Sequence, residues 1–75
     1  MKTTLRDLRK ASNKTAAEVA TALGVTIQAV YNYERGIRLI DIYSIIPLAR
    51  LFDVTAEEII EAQINSQRAQ EDNRR

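Results

Sequence analysis

Apolar residues recur along this chain at helical spacing, in five short bursts divided by polar breaks. In the first, Leu5 and Leu8, with Ala11 or Ser12, fall on one face at i, i+3, i+7. Thr4 stands where it can cap that helix, with Asp7 three residues on, and Asn13 suits a left-handed stop. The second burst opens on Thr15-Ala16-Ala17-Glu18, a capping box in which the hydroxyl accepts from the N3 amide and the carboxylate reaches back. Val19, Ala20 and Leu23 follow on the inward side, and Gly24 closes a helix of barely two turns. In the third, Thr26 caps a helix from about Ile27 to Arg35, with Val30 and Tyr33 inward and Gly36 as the stop. Helices this short do not stand alone in water, so each must lean on a neighbour.

The fourth burst carries Ile42, Ile45, Ile46, Leu48, Ala49 and Phe52, and begins at Asp41 or at Ser44. Pro47 favours a late start or a kink just before it, since a proline inside a helix removes a hydrogen bond and costs ~3 kcal/mol. With Ser44 as cap, Pro47 would fall at N3, where a missing N–H costs little. Asp53-Val54 makes a tight link, and Thr55-Ala56-Glu57-Glu58 is a second capping box. It opens a fifth helix expected to turn Ile59, Ile60 and Ile64 inward. From about Asn65 the chain is polar, ending in QEDNRR. The expected organisation is one domain over residues 1–64 and a polar tail over 65–75 that frays. No strand-like alternation of useful length and no repeat interrupts the pattern, so the expected fold is all-α.

Helices two and three are joined by about four residues centred on Gly24, the arrangement of a helix-turn-helix. Ala20 is small where the two helices must approach, Gly24 can adopt a positive φ, Val25 can plug the turn from inside, and Val30 packs helix three onto helix two. A glycine and an alanine alone would be weak evidence. The whole pattern of capping box, Ala20, Gly24, Thr26, Val30 and YERG at these spacings is specific.

Composition narrows the function. Seventy-five residues make one small domain with a limited core. There is no cysteine and no histidine, which removes disulfides, thiolate sites, most zinc sites and nucleophile–histidine catalysis. The absence of cysteine fits a reducing cytoplasm, the expected location. No run approaches the ~18–20 apolar residues of a membrane span, and the N-terminus has no signal-like apolar segment. Net charge is only +1, but it is unevenly spread. Residues 1–40 hold seven basic and three acidic groups, a net +4, and residues 41–75 hold four against seven, a net −3. Such polarity can present a positive face to a polyanion, or reflect chance clustering on solvated faces. The run IRLIDIYSIIP likewise has two readings: cover for a small core, or a dimer surface formed by Ile37, Leu39, Ile40 and Tyr43. The Glu57, Glu58 and Glu61 cluster is a solvated face complementing a helix dipole, not a metal or acid–base site.

The stretches LRDLRK, TAAEVATALGVTIQAVYNYERG and LARLFDVTAEEI resemble the helix-turn-helix domains of phage repressors and Cro proteins, the XRE-like family. The resemblance runs from Leu5 to about Ile59. It implies a compact five-helix domain that reads operator DNA with its third helix, usually as a dimer, in the docking geometry known for the lambda and 434 repressors. On this resemblance Ile27, Gln28 and Asn32 match base-reading positions: Gln28 could bond an adenine edge and Ile27 could touch a thymine methyl. Thr15, Ala16, Thr26, Tyr31, Arg35 and Arg38 match positions beside the phosphate backbone. Arg9 and Glu34 match a partly buried ion pair tying helix one to the end of helix three. Tyr33, sharing a face with Val30, belongs to the core.

Four departures stand out. Ala16 replaces a frequent glutamine, leaving backbone amides for a phosphate without the side-chain contact. Lys14 stands where an apolar residue is common, and Pro47 is unusual. Ile37, Leu39 and Ile40 replace a linker that is usually polar. The resemblance implies a transcriptional regulator, most simply a repressor binding a palindromic operator as a homodimer, without cofactor, metal, small-molecule ligand or catalysis. The alternative is a protein-interaction module on the same fold, an antitoxin-like or anti-repressor partner, which the near-neutral charge and the apolar IRLI run keep open.

Overall fold

Short side chains that accept amide protons start the helices. The structure, a computed structural model, describes residues 2–72, with the side chains of 2–69. In α1 (Leu5–Ala11) Thr4 Oγ1 accepts the Asp7 amide at 3.3 Å, and Asp7 Oδ2 accepts the Thr4 amide at 3.0 Å. In α2 (Ala16–Leu23) Thr15 and Glu18 make the same reciprocal pair at 3.1 and 3.0 Å. Thr26 opens α3 (Ile27–Glu34), taking the Ala29 amide at 3.1 Å. The last two elements are α4 (Ile42–Phe52) and α5 (Ala56–Asp72). Asn13, Gly24, Gly36 and Asp53 turn the chain between helices with φ between 56° and 75°. At the start of α5 the second box is only half formed. Thr55 Oγ1 accepts the Glu58 amide at 3.1 Å, but the Glu58 carboxylate takes the Thr55 hydroxyl instead of the Thr55 amide.

Helix α4 starts early, at the first of the two caps the sequence offered, so of the late start and the kink expected from Pro47 the late start is corrected. Asp41 is the cap, its Oδ1 accepting the amides of Tyr43 at 2.8 Å and Ser44 at 3.1 Å. Two orphan donors on one carboxylate outweigh one missing bond further along. Pro47 lies inside the helix and faces solvent. The carbonyl it leaves without an amide belongs to exposed Tyr43, where water can serve.

The core gathers Leu5 from α1, Val19 and Ala20 from α2, Val30 and Tyr33 from α3, Leu48 and Phe52 from α4, and Ile59 and Ala62 from α5. Helix α5 departs furthest from expectation. The tail placed at 65–75 is helical through Asp72, and residues 73–75 lie outside the described ones. Ile60 and Ile64 face outward, and Gln63 and Ser66 are buried in their stead.

The reason lies in backbone groups that other elements leave unpaired. The first amide of a helix has no partner within it. In α1 that is the Leu5 amide, and Ser66 Oγ accepts it at 3.1 Å across 61 residues of sequence. Gln63 Oε1 accepts the Ile40 amide at 3.0 Å, and Asn65 Nδ2 donates to the Thr3 carbonyl at 2.8 Å. Gly36 touches the same stretch: a methyl there would lie 2.6 Å from Gln67 Cα and 2.7 Å from the Ser66 carbonyl oxygen. Helix α5 is thus the strut against which α1, the end of α3 and the linker to α4 are set.

Candidate nucleic-acid interface

The α2–turn–α3 unit is held from inside. Ala20 is buried at the close approach, the Val25 amide returns to the Ala20 carbonyl at 3.0 Å, and Gly24 takes φ 69°. Ala29, Val30 and Tyr33 bury the inner side of α3. A helix of this length then has one free side, and Ile27, Gln28 and Tyr31 are exposed on it with Asn32 half-buried beside them.

The structure brings Gln28 and Asn32 together, since Gln28 Nε2 donates to Asn32 Oδ1 at 3.2 Å. Sequence reasoning placed both residues on this face but missed the bond. The signal available was their i, i+4 spacing, at which amide side chains meet. The bond leaves Gln28 with one N–H and its carbonyl oxygen, the donor–acceptor pair that an adenine edge complements. The main-chain carbonyl of Asn32 accepts the amides of Ile37 and Arg38 at 3.1 and 3.2 Å, pinning the loop behind the helix.

Around this face lie the residues matched to phosphate positions. Thr15 and Thr26 spend their lone pairs on the amides of Glu18 and Ala29 and keep their hydroxyl protons. The Ala16 side chain is in the core, so only its backbone amide can serve an anion. Tyr31 and Arg35 are exposed one turn apart. Arg38 is exposed as well and lies over the Tyr33 ring, 5.8 Å from its centroid, a cation–π contact that limits its range.

Arg9 and Glu34 form the expected pair. Arg9 Nε donates to Glu34 Oε2 at 2.5 Å and Nη2 to Oε1 at 3.2 Å, while Nη1 reaches the Lys14 carbonyl at 3.2 Å. The bond to Glu34 holds the Arg9 guanidinium above its ordinary pKa, against the burial that would lower it. Both side chains are nearly covered, 13% and 9% exposed, so the pair acts as a directional tie between α1 and the end of α3.

Of the four residues read either as core cover or as a dimer surface, Ile37, Leu39 and Tyr43 are exposed, Tyr43 at 87%. For Ile40 the dimer-surface reading is corrected. It is buried at 8%, because its amide is tied to Gln63 and draws its side chain into the core. Ile42 and Ile46 on α4, and Ile60 and Ile64 on α5, are exposed instead. Leu39, Ile45, Ile60 and Ile64 line one groove of about 330 Å³, with Gln63 along it. Among the described residues no cluster of histidine, cysteine, aspartate or glutamate could hold a metal ion, and no helix is long and apolar enough to cross a membrane.

Two short helices crossing over a left-handed glycine turn, backed by three more helices and showing a polar outer face, define an all-α helix-turn-helix domain. The family model described as helix-turn-helix matches residues 5–59. The chain belongs to that family, the Cro- and XRE-like helix-turn-helix domains, which are DNA-binding transcriptional regulators and not a class of enzymes. No curated protein and no solved structure matches the chain.

Proposed function

We propose that this domain is a sequence-specific repressor that binds a palindromic operator as a homodimer, each α3 entering a major groove. The observation that carries the reading is the Gln28–Asn32 pair on the free face of α3, flanked by Ile27 and Tyr31 and followed by Arg35 and Arg38. Amides bonded in this way read a base edge, an exposed isoleucine suits a thymine methyl, and the arginines suit backbone phosphates. Thr15, Thr26 and the Ala16 amide are assigned to the phosphate on the α2 side. The homodimer reading is supported by the bare apolar side chains Leu39, Tyr43, Ile60 and Ile64. A second copy would cover them.

Selection of bound duplexes from a random pool tests both parts. A two-fold symmetric site with half-sites about one helical turn, roughly 34 Å, apart supports the dimer. Leu39→Asp should then convert it to a weakly binding monomer in sedimentation. Recovery of only a single asymmetric half-site, unchanged by Leu39→Asp, rejects it.

The same apolar surface favours a second reading, a protein-interaction module of antitoxin-like or anti-repressor type. A salt titration against random duplex separates the two. Affinity falling steeply with salt supports DNA, and no binding even at low salt supports the protein partner.

A further inference from the structure

Between α1 and α3 lies a groove of about 320 Å³ lined by Arg6, Arg9, Tyr31, Glu34 and Arg35. Its charges are unequal in kind. Arg9 and Glu34 are spent on each other, whereas Arg6 and Arg35 are exposed and make no ion pair among the described residues. Two arginines without an ion pair among the described residues therefore line one groove, Arg6 on α1 and Arg35 at the C-cap of α3, together with Tyr31. Like charges gathered around a concave surface repel, and a bound anion relieves that repulsion. Arginine supplies forked donors matched to phosphate oxygens.

We propose that this groove seats one DNA backbone phosphate, clamped by Arg6 from α1 and Arg35 from the C-cap of α3, an inference that rests on the DNA-binding reading above. The placement favours backbone over bases. Recognition helices read base edges with their N-terminal residues, here Ile27 and Gln28, and the groove lies beside the later turn, from Tyr31 to Arg35. Arg6 is drawn into the interface by the Arg9–Glu34 tie, which fixes the face of α1 that carries both arginines, three residues apart, against α3. The ion pair thereby becomes the floor of a phosphate seat as well as a link between helices.

The test is fluorescence anisotropy with a labelled duplex across 50–200 mM salt, comparing wild type with Arg6→Ala, Arg35→Ala, the double variant and Lys10→Ala. Lys10 is an exposed cation on the same helix that does not line the groove. Losing one phosphate contact should make the slope of log K against log salt shallower by about 0.9, so the deficit of Arg6→Ala shrinks about threefold over that range. Lys10→Ala should keep the wild-type slope, and the double variant should lose no more slope than either single one. Equal changes in Arg6→Ala and Lys10→Ala mean a diffuse field and overturn the clamp. A slope loss of about 1.8 in the double variant overturns the shared seat. If wild type binds and Arg6→Ala keeps its slope, the clamp falls while the DNA reading stands. If wild type binds no duplex at 50 mM salt, both fall.

Discussion

The two glycines offer a controlled comparison, because their backbones agree and their surroundings do not. Gly24 and Gly36 have φ of 69° and 75°, so a Cβ at either meets the left-handed penalty of ~1–2 kcal/mol. Alanine also restricts the unfolded chain, which offsets ~0.4–1 kcal/mol of that. At Gly24 nothing lies within 4 Å of the new methyl, so Gly24→Ala should cost about 1 kcal/mol. At Gly36 the methyl would lie 2.6 Å from Gln67 Cα and 2.8 Å from the Gln67 amide nitrogen, both backbone atoms of a packed helix. Overpacking of that kind adds ~1–3 kcal/mol, for a total of about 2–4 kcal/mol. In a domain of this size the total stability is on the order of 4–11 kcal/mol. With ~4–8 °C of Tm per kcal/mol, thermal unfolding followed by circular dichroism should show Gly24→Ala melting a few degrees low. Gly36→Ala should melt more than about 10 °C low. Equal losses would mean that α5 does not press on the turn after α3, and the account of the strut would be wrong.

Further outcomes follow from the site. Gln28→Ala should weaken binding to the selected operator by ~1–3 kcal/mol and relax one base position in a gel-shift series. Asn32→Ala should be subadditive with it, with a coupling of at least ~0.5 kcal/mol in a double-mutant cycle; strict additivity would separate the two amides. Arg38→Ala should weaken all duplexes similarly and flatten the salt dependence by about one unit. Glu34→Leu alone should destabilise by a few kcal/mol, ~2–4 after discounting for partial exposure, whereas Arg9→Met with Glu34→Leu should recover most of it in urea unfolding. The Glu18 carboxyl is held below its ordinary pKa chiefly by the hydrogen bond from the Thr15 amide. Its folded value is the lower one, so its contribution is complete above the unfolded pKa of ~4.3 and is lost as pH falls through the folded value. Glu18→Gln should flatten the acid limb of a stability–pH curve below about pH 4 and leave the neutral region with little slope.

Much of α1 to α3 was legible in the sequence because its signals are local. Thr4, Thr15 and Thr26 each act on an amide three residues away, and Gly24 and Gly36 act on their own φ. Helix α5 was legible only at its start. Its second half is decided by partners far along the chain: Ser66 reads as a solvated serine until the Leu5 amide is set against it, and Gln63 until Ile40 is. Hydrophobicity pointed the wrong way there, to Ile60 and Ile64, since an orphan buried amide outweighs an aliphatic side chain that can remain on the surface. Pro47 misled for a related reason, because the cost of a proline depends on where the freed carbonyl points, and spacing alone does not give that. At the interface the residue types on α3 were legible. The bond between Gln28 and Asn32 was not, and neither was the groove that Arg6 and Arg35 both line.

The dependence of the reading helix on α5 has a consequence for how the protein is made. Synthesis proceeds from the N-terminus at ~5–20 residues per second, so residues 23–36 join the nascent chain roughly 2–6 s before Gln67 does. During that interval the turn at Gly36 has nothing to rest on, and the Leu5 and Ile40 amides lack the acceptors they have when folded. A transcript broken before the codon for Ser66 would therefore yield a peptide with every side chain proposed to contact DNA in its sequence and without the α5 contacts that hold α1 and the turn at Gly36. Helix α5 therefore decides whether a partly made domain can hold α3 in place.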